Sequence, residues 1–287
     1  MMDRKESSFK KTWDILLPFA VYFVVHDLSQ VLLAALVSVS LEALGGAWRD
    51  WMLRNEGSVN GILNALSLLG GMAAVWPMAM KEFRYLKEER EGHGTARKAE
   101  TGEQPRAKRS RIQRRPAAYA LLVVFAASFA LGMNILLGLT GLTGSSPAYG
   151  EVARRQYGVA FGIGLLVYGI CSPLAEEVVF RGLIYNRMKR YFPGPLSVAV
   201  CSLLFGIYHG NLVQAVYGCI LGIAMTLAYE AYGSFWAPVL FHGAANACVF
   251  AAGYNQEVLQ GLMTPLNCMI FLIISISSMV GIGILRK

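Results

Sequence analysis

The sequence predicts an all-α, polytopic membrane protein of about eight transmembrane helices, and three observations lead there. Only 15% of the 287 residues are charged and 55% are hydrophobic, whereas a soluble domain carries roughly 25% charged residues. Apolar runs close to the roughly 20 residues that cross hydrocarbon recur along most of the chain. No stretch shows the apolar–polar alternation of a half-buried strand.

Eight runs carry this reading, at 13–38, 58–80, 117–140, 157–185, 195–210, 212–230, 234–253 and 266–284. The first follows a charged stretch with no small-residue cleavage site, so it is expected to be retained and not removed as a signal. It contains His26 and Asp27, which match no motif and are expected to make an interhelical polar contact. The second leads into a basic segment, 81–116, with almost no apolar residue after Leu86; this is expected to be a solvated, disordered cytoplasmic linker. The chain thus divides into a two-helix membrane unit at 1–80, the linker at 81–116 and a six-helix membrane unit at 117–287. The fourth run is long and ends in charge. The fifth is short for a full crossing and is expected to stop part-way or tilt less than its neighbours. Gly206 with Gly210, and Gly218 with Gly222, have the spacing of closely packed helices.

Charge placement gives the orientation. Of a net charge of +8, +6 lies between Lys81 and Arg115, where 12 basic residues face 6 acidic ones. With an even number of spans, this segment shares one side with Arg4, Lys5, Lys10, Lys11, Arg187, Lys189, Arg190, Arg286 and Lys287, while the other side holds Arg49, Arg54, Arg154 and Arg155. The positive-inside bias then puts both termini in the cytoplasm of a multi-pass plasma-membrane protein. A basic cluster beside apolar spans suits the anionic lipid bilayer, and nucleic acid is not an expected partner. The five cysteines are odd in number, lie within apolar runs and show no metal spacing, so they read as free thiols.

Charged residues inside a span cost roughly 2.5–3.5 kcal/mol each, so each one asks for a reason. The fourth run ends in SPLAEEVVFRGLIY, with adjacent Glu176 and Glu177, and Arg181 four residues after Glu177. On a helix Glu177 and Arg181 share a face and can pair, while Glu176 points about 100° away. Pro173 just before them can open the backbone ladder. Phe205 and His209 lie four apart at the end of the fifth run, and His242 and Asn246 four apart in the seventh. Taken singly, each polar residue here is more often helix glue than catalyst. No HExxH, nucleophilic-serine turn or pair of intramembrane aspartates is present.

In this order the three motifs, EExxxR (Glu176, Glu177, Arg181), FxxxH (Phe205, His209) and HxxxN (His242, Asn246), resemble those of the CAAX protease and bacteriocin-processing family, also called the Abi family. Phe180 and Gly182 extend the likeness, which covers about residues 157–253. The resemblance implies an eight-helix intramembrane endopeptidase acting on a membrane peptide or protein. It implies that Glu176 activates water, that His209, His242 and Asn246 surround it, and that Glu177 and Arg181 support the glutamate helix. Phe205 is expected to pack so as to fix His209.

Peptide hydrolysis needs a nucleophilic water, a stabilised oxyanion and a proton for the leaving amine, which a carboxylate with imidazole and amide groups can supply. A Zn2+ ion held by His209, His242 and Asn246 would also activate water, though asparagine is a poor zinc ligand, and metal dependence stays open at this point. Two other functions compete: a non-catalytic scaffold or bacteriocin-immunity protein, and a proton-coupled transporter using Glu176 and the histidines. The first predicts a degraded motif and the second an internal repeat, and the sequence shows neither.

Overall fold

The computed structural model describes residues 2–90 and 116–285, and their regular elements are all helical. In chain order they are α1 (Met2–Leu44), α2 (Gly46–Arg54), α3 (Glu56–Arg90), α4 (Pro116–Leu139), α5 (Pro147–Tyr157), α6 (Phe161–Tyr191), α7 (Gly194–Tyr208), α8 (Leu212–Tyr232), α9 (Trp236–Tyr254), α10 (Gln256–Leu262) and α11 (Pro265–Leu285). Among the described residues α1, α3, α4, α6, α8 and α11 are long and apolar enough to cross a membrane. The two remaining candidates are the ones that carry the histidine motifs: α7 has 15 residues, and α9 is a continuous 19-residue helix whose apolar run includes the polar His242 and Asn246. The protein is an all-α polytopic membrane protein.

Helix α6 is the centre of the bundle, with α1, α3, α7 and α9 packed around it, while α4 joins α9 to α11. The outer helices send large apolar side chains outward, among them Val31, Leu32 and Leu36 of α1 and Ile273 and Ile276 of α11. Around α6 the core is aromatic: the Phe180 ring meets Phe19, Phe205 and Tyr208 edge-on at 5.0–6.0 Å.

Three local findings differ from the sequence reading. Helix α3 continues to Arg90, ten residues into the expected linker, because Val75, Ala79, Glu82 and Leu86 form one buried stripe at helical spacing. The rest of that linker, residues 91–115 with His93, lies outside the described residues. His26 does not reach another helix for its bond: its Nδ1 lies 2.9 Å from Asp27 Oδ1 within α1, and its ring stacks on Tyr22. Gly210 is a turn residue at φ +75° with open space around it, unlike Gly206, Gly218 and Gly222, which bring α7 and α8 together. A Cβ on Gly206 would sit 2.4 Å from the Ala215 carbonyl oxygen.

Candidate active site

The backbone of α6 is irregular where the carboxylates lie. Wider π-turns occupy Val167–Cys171 and Val178–Tyr185, and a short α segment, Ser172–Glu177, is held between them. Such bulges cluster at functional sites because they re-aim side chains within an otherwise straight helix. Pro173 has no N–H, so the Gly169 carbonyl loses its usual partner. Gly243 of α9 passes directly against that carbonyl, where a Cβ would lie 2.6 Å from the oxygen. This close approach brings α9 to the glutamates. At the second π-turn the Asn186 side chain donates to the carbonyls of Arg181 and Gly182, at 2.6 and 3.2 Å, capturing acceptors that the wider turn releases.

The two glutamates part company as the helix geometry requires. Glu177 is fully buried, and its Oε1 accepts from Arg181 at 2.7 Å and from His242 Nδ1 at 3.0 Å. Arg181, also fully buried, donates further to the Gly222 carbonyl at 2.9 Å and to Thr226 at 3.3 Å, and its guanidinium lies over the Phe205 ring at 4.7 Å. Glu176 is 5% exposed and faces a cavity of about 960 Å³ instead. The Ser172 hydroxyl donates to its Oε1, while Oε2 has no hydrogen-bond partner among the described residues and stands 3.9 Å from His242 Nε2.

Both imidazoles are oriented from behind. His209 caps the C-terminus of α7, and its Nδ1 donates to the Phe205 carbonyl at 2.9 Å. His242 Nδ1 donates to Glu177. In each ring a committed Nδ1–H leaves Nε2 for chemistry. The Phe205 ring stands edge-on to both histidines, at 5.1 and 5.6 Å, so it fixes the pair and not His209 alone. Asn246 donates through Nδ2 to the Tyr168 carbonyl at 3.2 Å. Glu176, Phe205, His209, His242 and Asn246 all line the one cavity; Glu177 and Arg181 lie behind it.

The structure thus brings together every residue that the three motifs singled out. It also adds Ser172, which the sequence reading passed over although its spacing, four before Glu176, was visible in SPLAEE. The bond from His242 to Glu177 had no such signal, because 65 residues separate the partners.

A zinc ion would ask for three strong donors converging on one point. Here two imidazoles are offered and the third residue is a carboxamide. Among the described residues no three His, Cys, Asp or Glu side chains gather as a metal group. This donor set does not fit Zn2+.

Comparison with known proteins agrees with the motifs. Residues 158–248 match the family model for the type II CAAX prenyl endopeptidase Rce1-like proteins, a span that holds all three motifs. A Bacillus subtilis (strain 168) protein named "Putative membrane peptidase YdiL" is 25% identical over 142 residues, which is 42% of this chain. The match takes in 56% of that protein, so the chain spans little more than half the length of the curated relative. No solved structure matches. Through its segment 158–248 the chain is thus similar to the type II CAAX prenyl endopeptidase Rce1-like proteins, and within that segment Glu176, His209, His242 and Asn246 gather at one cavity.

Proposed function

We propose that the protein is a glutamate-dependent intramembrane endopeptidase of the CAAX type, cutting a peptide bond in a membrane-embedded or lipid-adjacent substrate. The observation that carries this reading is the pairing of the unpartnered Glu176 Oε2 with His242 Nε2, 3.9 Å apart at a cavity large enough for a peptide segment. Two polar atoms at that separation suit one bridging water. Glu176 takes a proton from this water as its oxygen bonds to the scissile carbonyl carbon. Asn246, whose Nδ2 keeps a second N–H, faces the same space and donates to the developing oxyanion, while His209 Nε2, left an acceptor by the Nδ1–H committed to Phe205, receives an N–H of the substrate. When the tetrahedral intermediate collapses, the C–N bond breaks and Glu176 returns its proton to the leaving amine. Glu177 touches no substrate in this scheme. It anchors His242 and is neutralised by Arg181.

The decisive experiment is cleavage of a peptide set, with and without prenyl groups, by purified protein in detergent beside Glu176→Gln. Wild type is expected to cut and Glu176→Gln to lose at least a thousandfold in kcat while staying folded, since a single catalytic group of this kind contributes roughly 10²–10⁴-fold and the orphaned water is lost too. Full activity in Glu176→Gln would overturn the assignment. Activity is expected to survive 1,10-phenanthroline within about threefold, because no step here rests on a metal; collapse on chelation, restored by Zn2+, would show that the metal reading of His209, His242 and Asn246 was right.

A further inference from the structure

We propose that Glu176 is reached from the membrane face opposite the basic pole, so that the peptide acted on is one displayed outside the cytoplasm. This rests on the peptidase reading for the substrate, but not for the side of entry.

The cavity is one-sided. From Glu176 it runs past Tyr168 and Asn64 to Asn60 and Arg155, and its rim is made by the first turns of α3 and α8 and the last turn of α5. The opposite ends of α3, α6 and α8 contribute nothing to its lining. Helix α7 explains why the opening lies where it does. It begins three residues after α6 ends, yet its 15 residues span only about 22 Å, short of the roughly 30 Å of hydrocarbon. The chain turns back at His209, directly beside the first turn of α8, and this turn lies at the rim end of the cavity.

The two poles differ in charge. At the closed pole Lys10, Lys11, Lys81, Arg84, Lys87, Arg90, Arg187, Lys189 and Arg190 outnumber Asp14, Glu82, Glu88, Glu89 and Glu230, and the segment 91–115, with 8 basic and 3 acidic residues, joins the chain between Arg90 and Pro116. At the rim pole Arg49, Arg54, Arg154 and Arg155 are offset by Glu42, Asp50, Glu56, Glu151 and Glu257. Lys and Arg stay cytoplasmic, so the rim faces outward. The route inward is lined by carboxamides from five helices, Gln30, Asn60, Asn64, Asn134, Gln214 and Asn246. Each offers a donor and an acceptor, the pairing that an extended peptide backbone needs.

The test labels single introduced cysteines with a membrane-impermeant charged maleimide, in sealed right-side-out and inverted vesicles carrying the full chain. Labelling is located by peptide mass spectrometry, so that the five native cysteines are scored separately. Arg155→Cys at the rim and Asn64→Cys within the cavity are expected to label at least tenfold faster than Glu88→Cys in right-side-out vesicles, with the ratio reversed for Glu88→Cys in inverted ones. Cavity cysteines that label together with Glu88→Cys from the inverted side, or from neither side, would overturn the proposal. So would Glu88→Cys labelling from outside. Arg155 is exposed and its variant tests the rim even if Asn64→Cys fails to fold. Labelling needs no turnover, so failure of the peptidase reading shows separately, as absence of Glu176-dependent cleavage.

Discussion

Ser172 and Glu177 act on the proposed machinery from behind, and their removal should separate positioning from folding. Ser172→Ala takes the one hydroxyl donor from Glu176 Oε1 and leaves only a methyl-sized change. A hydrogen bond to a charged group contributes about 1.5–3 kcal/mol, so kcat is expected to fall roughly ten- to a hundredfold with thermal unfolding unchanged within a few degrees. An unaltered kcat would remove Ser172 from the site. Glu177→Gln is a harsher change, because its Oε1 serves Arg181 and His242 at once. Breaking a fully buried pair costs roughly 3–5 kcal/mol, so this variant should lose yield and melting temperature as well as activity. Arg181→Leu should match it in stability. A Glu177→Gln protein as stable as wild type would contradict the anchoring role. At this scale the sequence was informative for residues sharing a helical turn, such as Glu177 with Arg181. It was silent on partners that only packing joins, such as His242 with Glu177 or Arg181 with Gly222.

Helices α7 and α8 give two glycines opposite reasons to exist. Gly206 is needed for space: any Cβ meets the Ala215 backbone oxygen, and backbone cannot swing aside as a side chain can. Gly206→Ala should therefore push α7 from α8 and shift His209, at a cost of roughly 1–3 kcal/mol for overpacking together with a fall in activity. Gly210 is needed for conformation: at φ +75° an alanine is strained by about 1–2 kcal/mol but meets nothing. Gly210→Ala should lower the unfolding temperature while largely sparing kcat. Equal loss of activity in both would show that the turn, and not helix separation, sets the position of His209. Both glycines fall on the same four-residue spacing, and spacing alone cannot tell tight packing from a left-handed turn. The π-turns of α6 were equally hidden, since Pro173 announces a break in the ladder but not how the chain reconnects around it.

The N-terminal helices are part of the site because they wall its cavity, so what docks them should govern substrate affinity. Gln30 of α1 and Asn60 and Asn64 of α3 line the cavity, although every motif residue belongs to α6, α7 and α9. Away from the cavity, at the basic pole, charge holds these helices to α6. Glu82, only 3% exposed, accepts from Arg190 and lies 3.8 Å from Arg187, while Asp14 accepts from Tyr191 at 3.1 Å and from Arg187 at 3.3 Å. Glu82→Gln removes the buried anion of this cluster. Both arginines keep some contact with water, so the cost should be about 1–2 kcal/mol, below that of a sealed pair. Loosening α3 displaces Asn60 and Asn64 but leaves Glu176, His209, His242 and Asn246 on their own helices. KM is therefore expected to rise severalfold with kcat held within about twofold, measured at a temperature where the variant is fully folded. A fall in kcat at constant KM would mean that the polar clamp sets the geometry of α6 itself, and the cavity wall would then be a bystander.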